Sequence, residues 1–407
     1  MAHVAIIGAG PAGLFAAECL AATGVRVTVF EQMPSVGRKL LMAGRGGLNL
    51  THGEDFAAFV RRYGASEPWI ASMLSRFGPS DLRAWADGLG QDTFVGSSGR
   101  IFPRAMKASP LLRAWLARLA ALGVDIRTRH RWLGFDGATA LRFAHAGETV
   151  VHSADATLLA LGGASWPRLG SDAAWVPWLA EAGVVISPLA PSNAGVAIAW
   201  SEPLKARAVG EPLKRIAIRV GTRTVRGEAV VTAAGLEGGV IYALNPEIRA
   251  ELAARGAADL SVDLRPDIAV EDLSARLAAV PAKQSTSTRL AKGAKLSAAA
   301  IAVLRDGAGG ALPRDPHALA SAIKSVTLHV EALSGFARAI STAGGVARDA
   351  VDARMMLIAR PGTFVAGEML DWDAPTGGYL LQATFATAAC AAEGIRTWLD
   401  EQGHGAG

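Results

Sequence analysis

The stretch His3-Val-Ala-Ile-Ile-Gly8-Ala-Gly10-Pro-Ala-Gly13 decides how the first part of this 407-residue chain folds. An apolar, β-rich run ends at a cluster of glycines, and apolar residues then recur at helical spacing as far as Ala22. Gly24 is suited to end this helix, because glycine readily adopts the left-handed conformation that follows many helices. Arg26–Phe30 is predicted as the next strand. The sequence therefore predicts a strand–turn–helix–strand unit.

The glycine spacing within this unit is typical of a dinucleotide site. Gly8 permits the tight turn after the strand, Gly10 lets a pyrophosphate approach the helix N-terminus, and Gly13 lets helix and strand pack closely. Glu31 ends the second strand, where a carboxylate accepts hydrogen bonds from ribose hydroxyls and repels a 2′-phosphate. The motif favours FAD or NAD over NADP; an ordinary βαβ unit with a glycine turn is the alternative.

Three later elements favour FAD over NAD. Gly37-Arg38-Lys39 follows Glu31 at the distance where flavoproteins place a loop along the pyrophosphate and the isoalloxazine. A strand Thr157–Leu161 leads into Gly162-Gly163, and a strand from Thr363 leads into Gly367-Glu368. Both resemble glycine contacts of glutathione-reductase-type flavoproteins, in which the late acidic residue touches the ribityl–phosphate region. Because the sequence shows no second glycine motif of comparable quality, we expect no dedicated NAD(P)H domain.

The composition provides for a large core and excludes two classes of protein. The chain is 51% hydrophobic and 19% charged, which excludes wholesale disorder. Mean hydropathy is +0.27, yet no window of about 18 uncharged apolar residues is present to span a membrane. The N-terminal run contains Glu18 and no preceding Lys or Arg, unlike a signal peptide. Cys19 and Cys390 form no disulfide framework or metal set, so we expect a metal-free cytoplasmic protein.

The chain changes character twice along its length. Residues 1–190 and 345–407 carry the nucleotide motifs and predict a discontinuous FAD-binding domain of the α/β class with a Rossmann sheet. Residues 191–344 are predicted as an inserted substrate domain, in which short charged strands precede a helical part at about 246–320. Residues 131–152 alternate in a way that predicts a β-meander.

Two longer motifs carry a family resemblance. Gly37–His52, with the sequence GRKLLMAGRGGLNLTH, resembles the first hallmark of the HI0933-like flavoprotein family. This family includes aminoacetone-oxidase-type and bile-acid-reductase-type proteins and ribosomal-RNA dihydrouridine synthases. Gly367–Tyr379, with the sequence GEMLDWDAPTGGY, matches the second hallmark, and Gly99–Pro103 and Gly344–Val346 are weaker matches. The resemblance is thin between 200 and 330, and it implies a glutathione-reductase-type flavin domain carrying an inserted β-barrel and a helical subdomain.

One position departs from the family pattern. The first hallmark usually ends in Gly-Arg-Cys-Asn, whereas Gly47-Leu48-Asn49 stands here. The chain therefore resembles a subgroup that lacks the family cysteine, and a mechanism using that thiol as an acid is not carried over. We expect Cys19 and Cys390 to be small buried residues of helices rather than substitutes for it.

The candidate site combines the glycine motif with the two hallmarks. His52 is the candidate proton donor or acceptor, with simple hydrogen bonding in its loop as the alternative. Asn49 is the second catalytic candidate and equally a flavin-contacting amide. Gly377-Gly378 precedes a helix whose N-terminus can stabilise negative charge at the flavin N1–C2=O edge, and Tyr379 is expected to form one wall of the site. The residues predicted to bind the cofactor are Gly8, Gly10, Pro11, Ala12, Gly13, Glu31, Gln32, Arg38, Lys39, Gly44, Asn49, Gly162, Gly367, Glu368, Gly377, Gly378 and Tyr379.

We expect an FAD-dependent oxidoreductase whose organic substrate lies between the flavin and the inserted domain. The reaction is hydride transfer to an activated C=C bond or oxidation of an amine or alcohol, with NAD(P)H as a candidate transient electron donor. His329, on a predicted barrel strand, faces either the substrate or the core.

Two alternatives remain open. The first is a ribosomal-RNA dihydrouridine synthase using NAD(P)H and FAD, because the net charge is +5 and the stretch Lys283–Lys295 is basic, as are Arg215 and Arg219. That stretch has no interleaved aromatic residues, and a solvated helix face explains it equally well. The second is a flavin-binding redox sensor or RNA-binding protein without turnover. The oligomeric state does not follow from the sequence.

Overall fold

A computed structural model describes residues 2–137 and 139–403 of the chain. Its contacts divide the chain into two compact units. Residues up to Ala190 and residues from Ser341 onward form one, which we call the nucleotide unit. Pro191–Ile340 form the other, which we call the inserted unit.

The helices and strands follow one another in three groups. The nucleotide unit begins with β1 (His3–Ile7), α1 (Pro11–Ala21), β2 (Arg26–Phe30), α2 (Arg38–Ala43), β3 (Thr51–His52), α3 (Phe56–Arg61), α4 (Glu67–Leu74), α5 (Pro79–Asp87), β4 (Thr93–Val95), β5 (Arg100–Pro103), α6 (Ala108–Ala121), β6 (Asp125–Arg127), β7 (Arg131–Asp136), β8 (Ala140–His145), β9 (Glu148–Ser153), β10 (Ala156–Leu159), α7 (Val176–Glu181) and β11 (Ile186–Ser192). The inserted unit contains β12 (Val196–Ala197), α8 (Glu202–Ala208), β13 (Pro212–Val220), β14 (Arg223–Thr232), β15 (Gly235–Glu237), α9 (Gly239–Ala243), α10 (Asn245–Arg255), β16 (Ala258–Asp263), α11 (Val270–Ala278), α12 (Thr286–Gly293), α13 (Ala298–Gly307), α14 (Pro316–Lys324), β17 (Val326–Val330) and β18 (Ala332–Leu333). The chain then returns to the nucleotide unit with β19 (Ser341–Val346), β20 (Thr363–Val365) and α15 (Tyr379–Glu401).

The core of the nucleotide unit is a parallel sheet. Its described strands have the order β20-β10-β1-β2-β6, and β10 and β20 are buried along their whole length, as in sheets covered by helices on both faces. Ile7 pairs with Leu159, which pairs with Val365, so the strands end at the same edge of the sheet. Three predicted cofactor glycines follow these strands at that edge: Gly8, Gly162 and Gly367. The sheet confirms the predicted Rossmann-type fold class.

Two alanine-rich helices pack against each other beside this sheet. The rings of Phe15 in α1 and Phe385 in α15 lie with their centroids 4.7 Å apart. Alanine and glycine at the other contact positions allow close packing, which accounts for much of the high apolar content.

Among the described residues, no helix is both long enough and apolar enough to cross a membrane.

The inserted unit is built on an antiparallel sheet that closes on itself. Its described strands have the order β17-β16-β13-β14-β15-β12-β18. Glu331 alone separates β17 from β18, so one extended stretch pairs with β16 through its first half and with β12 through its second half. Because this stretch joins both ends of the order, the sheet forms the β-barrel implied by the family resemblance.

One strand of this barrel was not predicted. β16, Ala258–Asp263, lies inside the stretch 246–320 for which helices are predicted, while the helices on either side of it are present. Its residues alternate between buried and more exposed positions, as a half-buried strand requires. Alanine and aspartate are rare in strands, so the alternation of Leu260 and Val262 with polar residues is easily missed.

Candidate active site

The turn between β1 and α1 has the geometry of a phosphate site. Gly8 has a φ of +105°, and a Cβ atom there would lie 2.3 Å from the carbonyl oxygen of Ala160. A Cβ atom on Gly13 would lie 1.9 Å from the carbonyl oxygen of Gly8, which confirms the predicted close packing. In contrast, a Cβ atom on Gly10 would meet no described atom within 4 Å. The first turn, which includes the predicted residues Pro11 and Ala12, contains no acidic side chain, so the positive helix end is open to an anion.

Glu31 is held in a fixed orientation at the end of β2. Its Oε2 accepts a hydrogen bond of 2.9 Å from the backbone N–H of Ala9, and its Oε1 accepts one of 2.8 Å from that of Met33. Burial raises the pKa of the Glu31 carboxyl, and the two N–H donors oppose this shift. Gln32 turns away to donate to the carbonyl oxygen of Gly170 at 2.8 Å. The carboxylate therefore lies at the glycine turn, and it has lone pairs left to accept hydrogen bonds from ribose hydroxyls.

Lys39 and Glu368 are brought together from opposite ends of the chain. Their Nζ and Oε2 atoms are 2.5 Å apart, and Lys39 also donates to the hydroxyl of Ser165. Glu368 Oε1 accepts a 3.1 Å hydrogen bond from the backbone N–H of Thr342. Lys39 thus engages the predicted ribityl–phosphate acid, and the pair lies at the edge of the sheet where the glycines are found.

Other predicted cofactor residues fix the backbone around this pair. Gly367 has a φ of +81°, and a Cβ atom there would lie 2.8 Å from the Cβ of Ala12. Gly162 has a φ of +71° and lies against Ser171, whereas Gly44 packs against Ala108. The guanidinium of Arg38 donates to Ser35 at 3.0 Å, and its Nε is buried without a partner among the described residues. The glycines at these positions are required for packing, independently of any ligand.

The loop of the first hallmark contains buried polar atoms that lack a partner. Asn49 Oδ1 and Thr51 Oγ1 are both buried without a hydrogen bond within the described part of the chain. A buried, unpaired polar atom costs about 1–3 kcal/mol, so such atoms in a cleft indicate a missing ligand. Leu48, at the position of the family cysteine, is only 1% exposed and belongs to the core. The loop therefore offers polar contacts from Asn49 and Thr51 and no thiol.

The N-terminus of α15 is pressed against this loop. Gly378 is the N-cap residue with a φ of +107°, and a Cβ atom there would lie 2.5 Å from the carbonyl carbon of Thr51. Gly377 has a φ of +121°. The predicted helix start after Gly377-Gly378 is confirmed, and it lies beside the unpartnered hydroxyl of Thr51. The free backbone N–H groups at the N-terminus of α15 carry a partial positive charge, which suits an electron-rich edge of a ligand.

Tyr379, predicted to form one wall of the site, is buried within a hydrogen-bonded network. Its hydroxyl donates to Oε1 of Glu54, and its carbonyl oxygen accepts a 2.8 Å hydrogen bond from the hydroxyl of Tyr63. Arg62 binds Glu54 through Nε at 3.1 Å and Nη2 at 2.6 Å. These hydrogen bonds from Arg62 lower the pKa of Glu54, while burial and Glu54 raise that of Tyr379. The network fixes the first residue of α15.

His52 is engaged through both ring nitrogens. Its Nδ1 accepts from the backbone N–H of Glu54 at 3.1 Å, and its Nε2 then donates to the carbonyl oxygen of Ser98 at 3.0 Å. Its ring stacks on Tyr379 with centroids 5.4 Å apart and planes inclined by 22°. Its proton-transfer role stays a prediction, and these contacts favour the hydrogen-bonding alternative, because proton transfer would require one of the two hydrogen bonds to break.

The remaining candidates belong to other helices and strands. Burial raises the thiol pKa of Cys19 to about 12 and that of Cys390 to about 11, and both cysteines are free, as expected for small residues of helices. His329 does not face the core: its side chain is 78% exposed, and its Nδ1 forms a 2.7 Å hydrogen bond with Oδ1 of Asp259. In the basic stretch, Arg289 is buried, because α12 turns it inward to donate to the carbonyl oxygen of Arg314.

The residues present fit FAD. An open helix end at Gly10 suits a pyrophosphate, and the oriented carboxylate of Glu31 suits a ribose. Asn49 Oδ1 and Thr51 Oγ1 are unpartnered on one loop, and Thr51 contacts the helix end at Gly378. These groups come from distant parts of the sequence and lie within one unit.

Several functional contacts had no signal in the sequence. Ser165, Thr342 and Glu54 belong to no motif, and each is contacted by a residue far away in sequence; Arg62 then binds Glu54. A Thr or Glu in an ordinary helix or strand carries no local mark of such a partner, so only the folded chain identifies it.

Several proteins of known name are similar to this chain. The 3-dehydro-bile acid delta(4,6)-reductase of Clostridium scindens is 26% identical over 95% of this chain and 97% of that protein. The ribosomal RNA dihydrouridine synthase of Haemophilus influenzae is 45% identical over 73 residues, which are 18% of each protein. The structure of 3-ketosteroid delta1-dehydrogenase from Sterolibacterium denitrificans superposes with a TM-score of 0.52 at 12% identity, covering 97% of this chain and 99% of that one, and shares the fold.

A family model described as the HI0933-like protein Rossmann domain matches residues 2–394. This match confirms the resemblance carried by the two hallmarks and extends it across the thin region between 200 and 330. The chain is an FAD-dependent oxidoreductase and belongs to the HI0933-like family.

Proposed function

We propose that this protein reduces a C=C bond conjugated to a carbonyl group in a steroid-like substrate, with NAD(P)H as the electron donor. The observation that supports this choice most directly is the similarity to the Clostridium scindens reductase over nearly the whole of both chains. The helix end at Gly378, which contacts Thr51, and the loop with the unpartnered Oδ1 of Asn49 and Oγ1 of Thr51 supply polar groups that such a flavin site needs. Amine or alcohol oxidation has no comparable support.

The residues of the nucleotide unit would bind and orient the cofactor. The N-terminus of α1 at Gly10 would hold the pyrophosphate, Glu31 the adenosine ribose, and the Glu368–Lys39 pair the ribityl–phosphate region. Asn49 would offer its Oδ1 to an N–H group of the flavin. Bound FAD supplies the two-electron chemistry, so the chain contributes position, electrostatics and exclusion of water.

The substrate proton comes from a group other than a cysteine. Leu48 has no acidic proton, and burial raises the pKa values of Cys19 in α1 and Cys390 in α15, which makes both thiols weak acids. His52 serves as donor only if it releases Ser98 or the N–H of Glu54. Otherwise water completes the reaction.

An anaerobic reduction experiment tests this function. The purified protein should show a bound-flavin visible spectrum, lose it on addition of NADPH or NADH, and regain it on addition of a 3-oxo-4-ene steroid. A colourless protein that takes up no added FAD would contradict the flavin site. Reoxidation by oxygen alone, with no response to the steroid, would instead favour an oxidase.

The second candidate is reduction of a uridine in ribosomal RNA, which is also reduction of a C=C bond conjugated to a carbonyl. The specific observation in its favour is the 45% identity to the Haemophilus influenzae enzyme over 73 residues. Mass spectrometry of ribosomal RNA from a deletion strain distinguishes the two proposals. Loss of one dihydrouridine would favour this candidate, and unchanged dihydrouridine content would reject it.

A further inference from the structure

Lys39 and Glu368 belong to a closed ring of hydrogen bonds. Lys39 donates to the hydroxyl of Ser165, whose backbone N–H donates to Oγ1 of Thr342 at 3.1 Å. The backbone N–H of Thr342 donates to Oε1 of Glu368 at 3.1 Å, and Oε2 of Glu368 accepts from Nζ of Lys39 at 2.5 Å. Four segments that are distant in sequence meet in this ring, in which Lys39 is the cation and Glu368 the anion.

The ring is partly shielded from solvent. The side chains of Lys39 and Glu368 are 28% and 16% exposed, and Ser165 and Thr342 are buried. Charges in such surroundings are weakly screened, so removal of one partner leaves the other charge in an unfavourable environment. Both oxygens of Glu368 are engaged, because Lys39 balances the charge of the carboxylate while the N–H of Thr342 fixes its orientation.

Glu368 lies close to the open end of α1. Gly367, the residue before it, packs against the first turn of that helix, where its Cβ atom would lie 2.8 Å from the Cβ of Ala12. Oε2 of Glu368 lies 4.0 Å from the Cβ position of Gly162, which follows β10. In the proposed site the pyrophosphate of FAD brings negative charge to the same end of α1. A carboxylate without a compensating cation would therefore oppose cofactor binding.

We propose that Lys39 sets the affinity for FAD by neutralising Glu368. The inference rests on the proposed flavin site, and it makes Lys39 a positioning residue rather than a catalytic one. An ammonium group has three donors, and Ser165 and Glu368 occupy two of them within the described residues, so the third is left for a phosphate oxygen. Glu368 then remains ionised and accepts a ribityl hydroxyl without repelling the pyrophosphate.

A simple phosphate contact by Lys39 predicts a different result from charge compensation. With a phosphate contact alone, loss of Lys39 weakens FAD binding to the same extent whether or not Glu368 is charged. With charge compensation, the loss matters much more while Glu368 is ionised, because most of the cost then comes from an unpaired carboxylate. A double-mutant cycle on these two residues separates the two cases.

The test measures FAD dissociation constants of the deflavinated protein from the change in flavin fluorescence at fixed ionic strength. Lys39→Met should weaken binding about a hundredfold. In the Glu368→Gln background, the same substitution should weaken binding less than about tenfold. Lys39→Arg keeps the charge and should retain most of the affinity. Lys107→Met is the matched control, because Lys107 is the other lysine of the nucleotide unit and is exposed. It should leave the affinity unchanged.

Three results would overturn the role of Lys39 while leaving the flavin site intact. These are equal losses from Lys39→Met in the two backgrounds, wild-type affinity in Lys39→Met, and a similar loss in Lys107→Met, which would indicate general surface charge. Thermal unfolding of the apoproteins verifies that the variants are folded. Lys39→Gln, which can still donate to Ser165, replaces Lys39→Met in the cycle if that variant does not fold. A wild-type protein that takes up no FAD would instead overturn the proposed flavin site itself.

Discussion

Two glycine turns lead into helices of the nucleotide unit, and they are built differently. The turn before α1 is made mostly from backbone: Gly8 and Gly13 pack against each other, Gly10 faces open space, and the side chain of Glu31 accepts a hydrogen bond from the N–H of Ala9. The turn before α15 is surrounded by side chains from a distant part of the chain. The turn before α1 is formed mainly by residues close together in sequence, and we call it the local turn. The turn before α15 depends on side chains that are distant in sequence, and we call it the assembled turn.

The two turns are therefore suited to different roles: the first to binding the cofactor, and the second to adjusting how strongly negative charge on it is stabilised. A turn made of backbone offers N–H groups to a phosphate, whose charge does not change during turnover. A turn packed against Thr51 and held by the Glu54 network can adjust how strongly charge is stabilised when it appears during reduction. Substitutions at the two turns should therefore have different consequences for stability and chemistry.

The largest expected effect is at Gly13. In Gly13→Ala the new methyl would lie 1.9 Å from the carbonyl oxygen of Gly8, and neither backbone can yield without opening the sheet. We expect a loss of about 4 kcal/mol in the free energy of unfolding, measured by urea denaturation. Gly10→Ala is the matched variant, because its methyl meets no described atom within 4 Å. It should cost less than about 1 kcal/mol yet weaken FAD binding. Equal stability losses in both variants would contradict the division of roles.

The next largest effect is at Gly378. Gly378→Ala combines a left-handed backbone with a methyl 2.5 Å from the backbone of Thr51. The expected loss is about 3 kcal/mol in the free energy of unfolding. Because the displaced turn is part of the assembled site, the flavin midpoint potential should also shift. A stable variant whose flavin is unaltered would show that this turn does not face the cofactor.

The local turn could be predicted from the sequence, and the assembled one only in part. The spacing of Gly8, Gly10 and Gly13 reports directly on one strand, one turn and one helix, so the fold class and the packing role of Gly13 follow from it. Contacts of Tyr379 with Glu54 depend on how segments 325 positions apart meet. That Tyr379 forms one wall of the site stays a prediction, and its burial among these contacts could not be predicted from the sequence.

Glu54 carries the third prediction, which concerns pH. Hydrogen bonds from Arg62 lower the pKa of Glu54 below its ordinary value of 4.5, so its stabilising contribution is fully present above that value. The contribution is lost as the pH falls through the lower folded pKa. Glu54→Gln should therefore cost about 1 kcal/mol at pH 7, and the difference from wild type should shrink below pH 4.5. Urea unfolding at pH 7, 4.5 and 3.5 measures this.

The control for Glu54 is an ion pair outside the site. Glu393 binds Arg76 at 2.9 Å, and both side chains are about half exposed. Glu393→Gln should cost less than about 0.5 kcal/mol, because solvent screens the pair. If the two variants lose the same stability at pH 7, the network around Tyr379 contributes no more than an ordinary surface contact.

The smallest expected effect is on the pH dependence of turnover in His52→Gln. Glutamine can still donate to Ser98 and accept from the N–H of Glu54, but it cannot transfer a proton at neutral pH. If His52 only holds the loop against Tyr379, kcat should fall less than about threefold, and its pH profile should keep its shape. Steady-state kcat from pH 5.5 to 8.5 measures this with NADPH and the steroid. Loss of one limb of the profile, with a fall of about a hundredfold, would instead identify His52 as the proton donor. The assembled turn would then take part in the chemical step as well as in charge stabilisation.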